Sequence, residues 1–155
     1  MNWKKLAIGV AAWEGGWWAI RNGKRATMYK QAEALAKRLG KPLVVVGAPD
    51  LGATSGPGCG DLVIDIAPSR CPNSIQADIC KQIPLPDNSC VVFVSCVLEY
   101  VDDADAAMRE LQRVSGGNLY VCRVEPWTLT AYLYPGAKRT LKRDVLPTLS
   151  LPPVR

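Results

Sequence analysis

Three positions in the middle of the chain carry groups suited to holding a nucleoside. Gly47 follows the apolar run Leu43-Val44-Val45-Val46, Asp65 stands near the end of a second apolar run eighteen residues later, and Asp78 falls within a third, short one. A carboxylate at Asp65 offers two acceptor oxygens to the two vicinal hydroxyl donors of a ribose. Asp78 offers an acceptor to the exocyclic amine of an adenine, and Ile79 beside it offers a surface to cover the ring. Each aspartate alone reads better as a polar strand-end or turn residue. Their order and spacing are what point to a ligand.

Other chemistries are excluded by composition. The 155 residues contain no histidine, which removes Ser-His-Asp and Cys-His catalysis, imidazole-ligated zinc and haem, and any imidazole proton shuttle. None of the six cysteines forms a C-x-x-C pair, so no metal site is expected. Cys90, Cys96 and Cys122 sit in apolar stretches where a free thiol behaves as a small hydrophobe, which suggests a reducing compartment. Cys59 and Cys71 flank a candidate strand, and a disulfide between them stays open. Charge is segregated. Residues 1–42 carry nine Lys/Arg against two acids, residues 43–110 three against ten, and residues 111–155 seven against two. Basic ends around an acidic middle argue against a nucleic-acid surface, while the middle suits a cationic ligand.

The elements that must position these groups are legible in outline. Residues 26–39 place Met28, Ala32, Leu35, Ala36 and Leu39 at three- and four-residue spacing and stop at Gly40, which predicts an amphipathic helix. Leu43–Val46, 62–66, 74–79, 91–96 and 119–124 are predicted strands, the third a short edge strand. Asp102 or Asp103 can cap a helix over residues 104–114 that ends at Gly116-Gly117. Residues 47–60, with five glycines and two prolines, read as a turn-rich loop. Buried apolar strands separated by loops and helices predict an α/β fold with a mostly parallel sheet of about five strands.

The first segment differs in kind. Leu6–Ile20 is apolar apart from Glu14, has Lys4 and Lys5 before it and Arg21, Lys24 and Arg25 after it, and holds or adjoins Trp3, Trp13, Trp17 and Trp18. Three readings compete: an interfacial or short membrane-spanning anchor, a hydrophobic arm docking on a protein partner, and a cleaved signal peptide. The chain divides on this reading into a Trp-rich hydrophobic anchor or docking helix (1–25), an α/β domain (26–139) and a Pro-rich basic tail (140–155). The tail is expected to be extended.

Several segments carry a family likeness: Gln76-Ala77-Asp78-Ile79, residues 83–89 (IPLPDNS), Val97-Leu98-Glu99-Tyr100-Val101, residues 109–114 (RELQRV) and Gly116-Gly117. From Asp65 to Glu125 the chain resembles class I S-adenosylmethionine-dependent methyltransferases of the type 11 kind. The resemblance implies a Rossmann-like sheet with strand order 3-2-1-4-5. It implies S-adenosylmethionine as cofactor, with Asp65 at its ribose, Asp78 and Ile79 at its adenine, Gly47 at its methionine moiety, and Ser95 and Cys96 near the transferred methyl. Glu99 and Tyr100 are the candidates to orient a nucleophile.

The departures from that pattern are specific. The acidic position of the first motif is Val45, its second and third glycines are Pro49 and Leu51, and the histidine of the "VLEH" segment is Tyr100. The chain therefore reads as a shortened version with a degenerate glycine motif. The expected function is a non-catalytic, membrane- or assembly-associated structural protein, such as part of a virion, with S-adenosylmethionine binding either retained or lost. The alternative is an active methyltransferase.

Overall fold

The structure is a computed structural model that describes residues 3–47 and 58–123. In chain order its elements are α1 (Trp3–Leu39), β1 (Leu43–Val46), β2 (Leu62–Asp65), β3 (Ser74–Gln76), β4 (Val91–Ser95), α2 (Ala104–Ser115) and β5 (Leu119–Cys122). The strands form one sheet in the order β3-β2-β1-β4-β5, and every pair is parallel. Val45 registers with Val63 on one side and Phe93 on the other, and Phe93 registers with Tyr120.

The unbroken apolar strands are explained by what covers them. A parallel sheet needs crossovers that put helices on its faces, so its strands are buried on both sides. Val44, Val46, Ile64, Val92, Val94 and Val121 pack with Leu111 and Val114 of α2. Leu43, Val45, Val63, Val91, Phe93 and Tyr120 pack with Met28, Ala32, Leu35 and Ala36 of α1.

α2 begins where Asp103 caps it, its carboxylate accepting from the backbone N–H of Asp105 at 3.1 Å and of Ala106 at 2.9 Å. It ends at Gly116, whose left-handed φ of 58° lets its N–H reach the carbonyl of Gln112. The expected sheet order and the helix over 104–114 are both present.

Two local expectations are corrected. The helix over 26–39 is not a separate element, because α1 runs unbroken for 37 residues. No proline interrupts residues 3–39, and glycines, the Gly15-Gly16 pair included, cost a helix about 1 kcal/mol each relative to alanine. The third strand stops at Gln76 rather than at residue 79, because Asp78 turns the chain by accepting from the Cys80 N–H at 2.9 Å. The first strand covers Leu43–Val46 as expected, those predicted over 62–66, 91–96 and 119–124 run one or two residues too far, and β4 ends where Cys96 takes a φ of 55°.

Cys59 and Cys71 form a disulfide, with Cα atoms 5.8 Å apart. Disulfides persist mainly in oxidising environments, so this bridge runs against the reducing compartment that the buried thiols suggested. Among the described residues no helix is long and apolar enough to cross a membrane. Most of the glycine-rich loop and all of the basic tail lie outside the described residues.

Candidate functional site

Parallel strands end on a common edge, and loops leaving that edge can converge on one ligand. Here the carboxyl ends of β1, β2 and β4, with the turns after β3 and β4, enclose a cavity of about 350 Å³. That volume falls within the roughly 300–1,000 Å³ of small-ligand sites. Gly47, Asp65, Asp78, Ile79, Cys96 and Tyr100 all line it.

Gly47 leaves β1 with a φ of 97°, a conformation that side chains rarely adopt, and its N–H donates to the carbonyl of Ile64 at 2.9 Å. A Cβ there would fall 2.5 Å from Val97 Cγ2, so Val97 already occupies the place a side chain would take. Asp65 uses one carboxylate oxygen to accept from the Ala67 N–H at 2.8 Å, which folds the chain back after β2. The second oxygen takes no part in that turn. Asp78 does the same for Cys80, and its other oxygen lies 3.8 Å from the Lys81 ammonium. Both aspartates are therefore turn residues and cavity walls at once.

Cys96 also lines the site. Burial pushes its thiol up, more than the nearby Arg25 pulls it down, with Glu99 adding to the rise. A thiol held protonated at neutral pH is a poor nucleophile, so Cys96 lines the cavity rather than attacking from it. Ser95 is not on the cavity wall, and its hydroxyl donates to the Cys96 sulfur at 3.7 Å. Glu99 is buried but off the wall, whereas Tyr100 is on it.

Sequence reasoning passed over Ile66, Val97 and Asp102, which also line the cavity. Ile66 is 70% exposed and borders the cavity. An isoleucine straight after a strand-end acid was the available signal. Among the described residues no cluster of three or more acids or cysteines is placed to hold a metal.

The tryptophans stand apart from this site. Trp3, Trp13 and Trp18 are exposed, while Trp17 is half-buried and meets the ring of Trp13 edge-on at 5.7 Å.

Residues 60–121 match the family model described as a methyltransferase domain. The match takes in β2, β3, β4, α2 and most of β5, and so includes Asp65, Asp78, Cys96 and Tyr100 but not Gly47. No curated protein and no solved structure matches the chain.

Proposed function

From a chain that carries a class I methyltransferase-like domain, we propose a protein that binds S-adenosylmethionine in the cavity at the carboxyl edge of its sheet. The observation that supports this is the convergence of Gly47, Asp65, Asp78, Ile79 and Ile66 on one space of nucleoside size. The groups present suit that ligand. The second oxygen of Asp65 would accept from the ribose hydroxyls, Asp78 would accept from the adenine amine, and Ile66 and Ile79 would offer apolar surfaces to the ring. The acidic surroundings, with Asp65, Asp78 and Asp102 on the cavity wall, favour its cationic centre.

When bound, S-adenosylmethionine supplies an electrophilic methyl on a sulfonium. Displacement at such a centre depends on alignment more than on proton transfer, so a chain without histidine is not disqualified from it. Tyr100 on the cavity wall is the side chain placed to orient an acceptor, and Cys96 and Val97 also line the cavity.

A second reading is favoured by the exposed Trp3, Trp13 and Trp18 and by the loss of the first-motif acid at Val45. In it the fold serves as a non-catalytic scaffold, held to a membrane or a larger assembly by the arm of residues 1–25.

One titration separates the two. Calorimetry of S-adenosylmethionine into the full chain is expected to show micromolar binding that Asp65→Ala abolishes without unfolding the protein. No heat from a folded wild-type protein would overturn the first reading and leave the scaffold.

A further inference from the structure

α1 runs antiparallel to the strands. Lys41, just beyond its last turn, donates to the carbonyl of Asn88 at the amino edge, while the ring of Tyr29 meets that of Phe93, in the middle of β4, edge-on at 5.6 Å. Each residue before Tyr29 therefore lies about 1.5 Å nearer the carboxyl edge. Arg25 is one turn before it and Asn22 nearly two. Side chains on a helix also lean towards its amino end, which here is towards that edge. Cys96 stands at the same edge, on the cavity wall, close enough for the charge of Arg25 to act on its thiol.

Asn22, Arg25 and Tyr29 share one stripe of α1, at steps of three and four. Tyr29 fixes where that stripe points, because its hydroxyl accepts from the Gly60 N–H at 3.3 Å while its ring lies against Phe93. It thus reaches from β4 across β1 towards the start of β2. Followed towards the carboxyl edge, the stripe leads to the end of β1, where Gly47 leaves the sheet.

Two nitrogen atoms stand out along it. Nδ2 of Asn22 and Nε of Arg25 are buried, and neither has a hydrogen-bond partner. Folded proteins pair the great majority of such groups, because an unpaired buried donor costs roughly 1–3 kcal/mol and a charged one more. Both atoms carry hydrogens and neither accepts, so what they lack is an acceptor. One of the two belongs to a cation, which makes an anion the better match, and a carboxylate offers two oxygens to two donors.

We propose that Asn22 and Arg25 receive the carboxylate of S-adenosylmethionine, from the α1 side of the cavity. The inference rests on the cavity taking that ligand. Asp65, Asp78 and Asp102 on the wall suit the sulfonium and ammonium groups but repel the carboxylate, and Arg25 offsets that repulsion.

Calorimetry with a pair of ligands tests it: S-adenosylmethionine and its decarboxylated form, which keeps the nucleoside, the sulfonium and the amine and lacks only the carboxylate. The wild-type chain should bind the first about tenfold tighter or more. Arg25→Met should weaken S-adenosylmethionine roughly tenfold, as loss of a hydrogen bond to a charged group does, and should change the decarboxylated ligand less than about twofold. Asn22→Ala should follow the same pattern with a smaller loss. Lys30→Met, on an exposed residue of α1, should change neither and so controls for net charge. The urea midpoint of the ligand-free protein gives a second readout. A donor left unpaired in the free protein costs stability, so Arg25→Met should keep the midpoint or raise it. A lower midpoint would mean that Arg25 is paired within the protein, and would overturn the proposal. Equal affinity for the two ligands, or an equal loss of both in Arg25→Met, would also overturn it while leaving nucleoside binding in place. No binding of either ligand would remove the nucleoside reading and this inference with it.

Discussion

Gly47 meets two constraints that no other residue type satisfies. Its φ of 97° strains any side chain, and a Cβ would press to 2.5 Å on Val97 Cγ2, a branched group with little freedom to retreat. Gly47→Ala is therefore expected to cost on the order of 2 kcal/mol of stability, in the range typical of a residue held in an unfavourable backbone region. It should also narrow the cavity and weaken S-adenosylmethionine binding. Urea denaturation alongside the calorimetric titration checks both, and an unchanged midpoint with unchanged affinity would show that the loop gives way. Gly47, Asp65, Asp78 and Ile79 were legible in sequence because each sits where an apolar run stops, and strand ends are where parallel sheets place ligands. Ile66 was not, since an isoleucine extending LVID looks like more strand until its exposure is known. The division between Glu99 and Tyr100 was hidden for a similar reason. They are adjacent in a turn, and only the folded chain decides which one faces the cavity.

Between elements, the connection from β3 to β4 carries no regular structure and is held by side chains of α2. Arg113 donates to the carbonyls of Ile83 and Leu85, each at 3.0 Å, and pairs with Asp87 and Glu110. Glu110 accepts from the Ile83 N–H at 2.6 Å. The Arg113 hydrogen bond holds the Glu110 carboxyl below its ordinary value, outweighing the opposite push of burial. The folded state thus binds this proton more weakly than the unfolded chain does. The contribution is fully present above the usual glutamate value of about 4.3 and is lost as pH falls through the lower folded value. Urea midpoints measured from pH 7 to pH 3 should fall on the acid side, and Glu110→Gln should lower the midpoint at pH 7 and flatten that fall. A variant with the wild-type acid slope would show that other carboxylates govern it. At this scale the sequence was most informative about strands, because unbroken runs such as VVFV can be satisfied only by burial on both faces. It was least informative about α1. Periodicity is visible only where one face is buried, as in 26–39, so the apolar arm and the amphipathic helix looked like separate pieces although no residue between them stops a helix.

The described residues form one sheet with a single helix on each face, and what restrains the connections around that core matters to its stability. The Cys59–Cys71 bridge is such a restraint. It ties the approach to β2 to the segment that follows it, and Cys71 is itself buried in the layer between α1 and the sheet. Disulfides stabilise largely by limiting the unfolded chain, and a bridge across a sequence separation of 12 is worth roughly 2–4 kcal/mol. That is a large share of the roughly 5–15 kcal/mol that holds a domain together. A thiol reductant should therefore lower the urea midpoint of the wild-type chain substantially. Cys59→Ser should lower it by a similar amount and make it insensitive to reductant. Cys80, Cys90, Cys96 and Cys122 are free thiols, so a reductant effect that persisted in Cys59→Ser would have to come from elsewhere and would count against the bridge. Neither Cys59 nor Cys71 lines the ligand cavity or belongs to the arm. Reduction is accordingly expected to shift the unfolding transition while leaving the S-adenosylmethionine affinity unchanged under conditions where the protein stays folded.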